Sequence, residues 1–188
     1  NLEGKKVIVS VGRLVHRKGQ DRLIESMPEI IKRVPNAHLL MVGKGPYLDH
    51  LAKLVATNKL EEHVSFIGRI QYAELPQFIC AGDVFAMPSR SRLAGLEVEG
   101  LGIVYLEASA CGLPVVAGSS GGAPDAVVQG VTGLVVDGTN NTEIVDAIVA
   151  LLNNPEDAMK MGVAGRQWIV DNWRWEIWSD QFNKLLEQ

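Results

Sequence analysis

Val84-Phe85-Ala86-Met87, a glycine-bearing loop, then Leu101-Gly102-Ile103-Val104-Tyr105-Leu106-Glu107-Ala108-Ser109-Ala110-Cys111 and Pro114-Val115-Val116-Ala117 form the stretch that decides the fold. A short apolar run passes through a loop into a helical segment over residues 101–111, and a second apolar run follows. Both runs are apolar throughout, as strands covered on both faces should be. The pattern repeats along the chain. Strands are expected at 7–11, 38–42, 64–67, 84–87, 114–117 and 134–136. Helices are expected at 20–33, 46–58, 72–80 and 101–111, with a short one near Pro124. This alternation predicts an α/β fold, a Rossmann-like parallel sheet with helices on both faces. In such folds ligands bind at the carboxyl ends of the strands.

After Val136 the chain turns helical, over 143–153, 155–171 and 175–186. Asn153-Asn154-Pro155 breaks the first two, with proline well placed at a helix start. Trp168, Trp173, Trp175 and Trp178 cluster near the end. They read as anchors packing the terminal helices onto the domain, or as a face toward a domain that this sequence lacks. Two segments follow from this reading. Residues 1–171 would form the ligand-binding domain, and residues 172–188 a terminal helix directed at the missing one. The sequence begins at Asn1 without Met and enters a strand within a few residues, so it reads as a piece of something longer.

Glu99 and Glu107 bracket Gly100-Leu101-Gly102-Ile103-Val104-Tyr105-Leu106. The first lies in the loop and the second about two turns into the helix. At about 1.5 Å per residue their carboxylates can lie roughly 10 Å apart. Between them the helix N-terminus offers free backbone N–H groups to an anion. A ligand with hydroxyls at both ends and phosphate between them fits, and a nucleoside-diphosphate sugar is one. A glutamate pair flanking a helix is ordinarily a solvated face. Here, however, the intervening residues are glycine or apolar, and charges are seldom placed among such residues without a partner.

The 188 residues are 47% apolar and 21% charged, with net charge −4 and no basic block. That composition supports one sizeable core and gives no electrostatic basis for binding nucleic acid. Cys80 and Cys111 stand in apolar contexts, read as buried free thiols, and suggest a reducing compartment. No apolar run reaches the ~18 residues of a membrane span, and no signal peptide opens the chain. Asn140-Asn141-Thr142 matches a glycosylation sequon, but reads as a loop entering a helix.

The remaining candidates sit at expected strand ends. Gly12 would let the backbone approach a ligand, Arg13 offers a fork of donors suited to phosphate, and Lys18 adds a point charge. His16 and Arg17 read as exposed loop residues. Gly43-Lys44-Gly45-Pro46 is neither a dinucleotide fingerprint nor a P-loop. Gly68-Arg69-Ile70 is a plausible wall for a base, with Ile70 against its face. Arg90 and Arg92 would serve phosphate or be solvated. Gly118-Ser119-Ser120-Gly121-Gly122-Ala123-Pro124-Asp125 suggests a close backbone approach or a sharp turn, with Asp125 capping the short helix. Glu97 and Glu99 lack a third ligand, the four histidines are scattered, and no metal is expected.

Taken together, these motifs resemble the C-terminal, nucleotide-sugar-binding domain of a retaining glycosyltransferase of family 4, the C-terminal half of a GT-B fold. The resemblance covers almost the whole chain. It rests on Val11-Gly12-Arg13-Leu14 with Lys18-Gly19, Val42-Gly43-Lys44-Gly45-Pro46, Phe66-Ile67-Gly68, Ala81-Gly82-Asp83-Val84, Pro88-Ser89, the Glu99–Glu107 pair, Ala110-Cys111-Gly112-Leu113-Pro114-Val115-Val116-Ala117 and Gly121-Gly122-Ala123-Pro124-Asp125. It implies that Arg13 and Lys18 bind the diphosphate and offset its charge as it leaves. Backbone N–H groups of Gly102 and Ile103 hold phosphate, Glu107 holds the ribose, and Glu99 contacts the transferred sugar. No metal is then needed. The long loop from Arg90 to Glu99 resembles actinobacterial mannosyltransferases that use GDP-mannose to act on phosphatidylinositol mannosides. That implies a lipid acceptor reached through the missing N-terminal domain, and a cytoplasmic enzyme at the membrane face. Asp125 departs from the glutamate usual in relatives. An epimerase or glycosyltransferase using a UDP- or ADP-sugar, and a non-catalytic nucleotide-binding module, stay open as alternatives.

Overall fold

The computed structural model describes residues 2–187. Six strands form one sheet: β1 (Lys6–Val11), β2 (Ala37–Val42), β3 (Val64–Gly68), β4 (Val84–Met87), β5 (Val115–Gly118) and β6 (Gly133–Val136). Their order is β3-β2-β1-β4-β5-β6, and every pairing is parallel. Seven α-helices surround the sheet: α1 (Gln20–Arg33), α2 (Leu48–Thr57), α3 (Leu75–Ile79), α4 (Ile103–Ala110), α5 (Asn141–Asn153), α6 (Pro155–Asn172) and α7 (Trp175–Leu186).

Successive side chains of a strand point to opposite faces, so each strand feeds two cores. Ile8, Leu39, Met41, Val84 and Val116 meet Leu23, Ile24 and Met27 of α1, Leu51 of α2, and Ile144 and Ile148 of α5. Val7, Val9, Phe85, Met87 and Val115 meet Ile79 of α3 with Tyr105 and Ala108 of α4. This double coverage explains the continuous apolar runs in the sequence. From β1 the chain moves outward through β2 and β3, then returns to β4 and moves outward on the other side. The loops after β1 and β4 therefore diverge and leave a crevice at the strands' carboxyl ends.

All six expected strands are present within a residue of their expected limits. The expected helix over 72–80 is a 3-10 turn at Tyr72–Glu74 followed by the short α3, whose start holds Pro76. The helix expected to begin at 46 begins at Leu48, and the one expected at 101 begins at Ile103. Asn140 is the N-cap of α5, its side chain accepting from the Thr142 and Glu143 N–H groups, so the sequon does enter a helix. Asp125 lies inside the 3-10 turn Ala123–Ala126 and makes no side-chain capping bond. Of the two thiols, Cys80 is exposed and Cys111 half-buried, because each follows the last turn of a short helix at the protein surface. Neither is the buried cysteine that the sequence suggests. In α7 no residue is buried. Asn1 and Gln188, the outer ends of the two expected segments, lie outside the described residues.

Candidate functional site

Beyond β1, Gly12 donates to the Val42 carbonyl, and the chain drops into a 3-10 turn at His16–Lys18. This turn buries Lys18 and places its Nζ 2.9 Å from Oε2 of Glu99. The contact is an ion pair without the alignment of a full hydrogen bond, so that carboxylate oxygen keeps unused accepting capacity. Arg17 adds charge, with Nε 4.0 Å from Glu99 Oε2 and a terminal nitrogen 3.8 Å from Glu97. Glu99 thus lies buried in a positive surrounding, and any ligand cation or hydroxyl reaching it competes with Lys18.

The turn is held from below by a side chain that the sequence leaves among the phosphate candidates. Arg90 is buried and donates to both carboxylate oxygens of Asp21, at 2.9 and 2.6 Å. It also donates to the His16 ring, and its backbone N–H donates to the Arg17 carbonyl. Burial alone would raise the Asp21 pKa, but the hydrogen bonds and charge of Arg90 outweigh it and hold the carboxyl below its usual value. Burial and the same guanidinium lower the His16 pKa, which keeps the ring a neutral acceptor. Arg90 is therefore a structural tie and has no free donor fork for phosphate. Arg92 pairs with Glu97 at 2.7 Å. His16 and Arg17 belong to this network and are only half-exposed, contrary to the sequence expectation of free loop residues.

Glu99 is positioned by the loop after β5. Its N–H donates to the Ser120 hydroxyl and its carbonyl accepts from Gly122. Gly121 has φ +55°, and a Cβ there would lie 1.9 Å from the Glu99 carbonyl oxygen. Only glycine permits that approach. The helix carrying Glu107 is fixed by Tyr105, which is fully buried. Its hydroxyl donates to the Met87 carbonyl at 2.7 Å and lies 2.9 Å from Ser89 Oγ. Burial raises the phenol's pKa well above its usual value, so it stays a donor. Gly102 is the N-cap of α4 at φ +73°, with no side-chain cap. The first N–H groups of α4 are left open to an anion.

These elements enclose a cavity of about 480 Å³ lined by Gly12, Lys18, Glu99, Gly102, Ile103 and Glu107. Beside it lies a second, of about 270 Å³, which shares Val11 and Gly12 and reaches Arg69, Ile70 and Tyr72. The Tyr72 hydroxyl crosses between them and donates to Glu107 at 3.1 Å. That bond to Glu107 raises the Tyr72 pKa. Of the expected site residues, Gly12, Lys18, Glu99, Gly102, Ile103 and Glu107 share one cavity, and Arg69 and Ile70 line the next. Arg13 does not join them. Its side chain is exposed and lines neither cavity, while its carbonyl accepts from Gln20. Tyr72, Tyr105 and Asp21 are not among the expected site residues, and Arg90 serves Asp21 instead of phosphate. A tyrosine inside an apolar helix was the one available signal, for Tyr105. Among the described residues no group of three or more His, Cys, Asp or Glu side chains is placed to hold a metal ion.

A six-stranded doubly wound sheet with an uncapped helix start and two carboxylates at its switch point defines a Rossmann-like α/β domain with its cleft at the strands' carboxyl ends. The model of the glycosyl transferases group 1 family matches residues 1–168, and the chain belongs to that family. It is 53% identical over 185 residues to the GDP-mannose-dependent alpha-(1-6)-phosphatidylinositol monomannoside mannosyltransferase of Mycolicibacterium smegmatis, covering 98% of this chain and 48% of that protein. It is 47% identical over 181 residues to the corresponding monoacylated-substrate enzyme of Corynebacterium glutamicum, covering 96% and 47%. The chain thus spans about half the length of the curated relatives it matches. Among solved structures, Anabaena HepE in complex with UDP matches with a TM-score of 0.88 and 25% identity, over 99% of this chain and 50% of that one. The fold is that of GT-B glycosyltransferases.

Proposed function

We propose that this chain is the donor-binding domain of a retaining mannosyltransferase that moves mannose from GDP-mannose to a phosphatidylinositol mannoside. The observation that carries the reading is the single cavity at the ends of β1 and β4. It gathers a lysine, an uncapped helix N-terminus and two carboxylates. The names of the curated relatives supply the donor and the acceptor class.

In this reading the diphosphate lies across the start of α4, with the N–H groups of Gly102 and Ile103 donating to its oxygens. Lys18 lies at one side, and Arg13 swings in from the surface. As the bond from the anomeric carbon to the diphosphate oxygen lengthens, negative charge collects on that oxygen. The fixed donors and cations stabilise it there. Glu107 takes the ribose hydroxyls, and Arg69 and Ile70 border the base. Glu99 holds sugar hydroxyls near the reacting carbon. No metal is assigned a part. The acceptor, a lipid, would be presented by the N-terminal half of the whole enzyme at the membrane face, and α7 would pack toward that half.

Calorimetric titration of the chain with GDP, UDP and ADP, with EDTA present, tests the donor assignment. We expect selective binding of GDP. Preference for UDP or ADP would keep the glycosyltransferase and remove the mannosyl donor. If full-length protein and fragment both bound none of the three, the nucleotide site itself would be refuted.

A further inference from the structure

At the opposite end of the strands from the cleft, Cys80 and Cys111 line one cavity of about 310 Å³ together with Lys6, Asp83, Leu113 and Pro114. Lys6 opens β1, Asp83 precedes β4 and Pro114 precedes β5, so this cavity sits at the strands' amino ends. Cys80 is the C-cap of α3 and Cys111 the C-cap of α4. Helices that connect parallel strands run back along the sheet, which is why both thiols arrive at the same end. Cys80 is exposed and Cys111 half-buried, and the two thiols border the same cavity at the ends of neighbouring helices.

We propose that Cys80 and Cys111 are a dithiol modification site that closes to an intramolecular disulfide when a peroxide reaches the exposed Cys80. The Cys80 sulfur attacks the O–O bond of hydrogen peroxide. One oxygen stays on sulfur as a sulfenic acid and the other leaves as water. The Cys111 sulfur then attacks the Cys80 sulfur and displaces the oxygen as a second water, carrying the remaining protons. Two thiols and one peroxide become one disulfide and two waters, with two electrons passing from sulfur to oxygen.

Access assigns the order, since the thiol that peroxide meets first is the exposed one. Burial, and then the neighbouring Cys80, push the Cys111 thiol up to about 12, which keeps it inert while Cys80 is reduced.

The bond would join the outer ends of two elements that also wall the nucleotide cleft. Tyr72, just before α3, and Glu107, within α4, are already linked at the cleft side. The Cys111 N–H donates to the Glu107 carbonyl at 3.1 Å. A disulfide would therefore tie the two walls together from behind.

The test needs no nucleotide, so it stands or falls separately from the donor assignment. The native chain is exposed to hydrogen peroxide and followed by intact mass and thiol titration. We expect the loss of two hydrogens, the disappearance of both thiols, and full reversal by dithiothreitol. The oxidised chain should melt roughly 5 °C or more above the reduced one, because the bond closes a long loop in the unfolded chain. The Cys111→Ser chain should hold a sulfenic acid on Cys80 that dimedone traps, and the Cys80→Ser chain should react far more slowly. Oxygen addition without loss of hydrogens in the native chain would overturn the proposal. So would disulfide-linked dimers, or closure that occurs only in urea.

Discussion

Glu107 and Glu99 differ in what holds them, and that difference sets what each substitution should do. Glu107 is half-buried, with one side-chain hydrogen bond, from the exposed Tyr72 phenol. It is free to exchange that donor for ribose hydroxyls. A hydrogen bond to a charged group contributes about 1.5–3 kcal/mol, so Glu107→Ala should weaken GDP binding roughly tenfold or more. Calorimetry on the variant checks this, and unchanged affinity would remove the ribose role. Glu99 is buried against Lys18. In the full-length protein we expect Glu99→Ala to lower turnover severely while GDP affinity is largely kept, because the proposed reading puts Glu99 at the sugar and leaves the liberated Lys18 for phosphate. Undiminished turnover would favour a module without chemistry.

Arg90 and Asp21 carry the clearest pH dependence. The carboxyl's folded pKa lies below its unfolded value. Its stabilisation is therefore complete above the unfolded pKa of about 3.9 and is lost as pH falls through the lower folded value. Asp21→Asn leaves the buried guanidinium without its counter-charge, which should cost about 3–5 kcal/mol at neutral pH. Urea unfolding of both forms from pH 7 down to pH 3 should show that gap narrowing only below about pH 4. A gap independent of pH would mean that packing, rather than charge, joins the two residues.

At the scale of elements, the parallel strands were the most legible part of the chain. Strands covered on both faces need apolar residues at every position, which leaves short unbroken runs that composition alone reveals. The Asn140 cap was legible for the same local reason, since its partners are the next few N–H groups. The segment after β3 was less so. Pro76 suits a helix start and splits an expected helix into a 3-10 turn and a single short helix. The glycines after β5 signalled a close approach, but only the packed loops identify Glu99 as what is approached. At Gly121→Ala a Cβ would strike the Glu99 carbonyl from a positive φ. We expect a loss of a few kcal/mol, seen as a melting temperature lower by about 5 °C or more, with weaker GDP binding as the Glu99 loop shifts. A variant as stable as the parent would show that the two loops are not strapped together.

Across the whole molecule, the cleft exists because the chain leaves β1 in one direction and returns to β4 before leaving in the other. That reversal brings the turn at His16–Lys18, the loop before α4 and the loop after β5 to one place. Near the terminus, Trp168 meets Trp173 edge to face and Trp173 meets Trp178 at a tilt, with ring centroids 5.7 Å apart at each step. Trp173, Trp175 and Trp178 line an apolar cavity whose other wall is α4. No residue of α7 is buried, and this cavity shares Leu101, Ile103 and Glu107 with the cleft.

The amino-acid sequence by itself determined the six strands, the longer helices between and after them and the parallel α/β class. Those properties depend on residues close together in the chain, where side-chain periodicity and backbone capping act. Only the tertiary structure decided which charges meet. Arg90 reaches Asp21 across 69 positions and Tyr72 reaches Glu107 across 35, and each contact joins a helix to a loop or turn that the sheet order brings beside it. A charged side chain carries no mark of its partner in the sequence. Arg90 and Arg13 therefore read alike as phosphate donors, yet packing buries the first against a carboxylate and leaves the second at the surface.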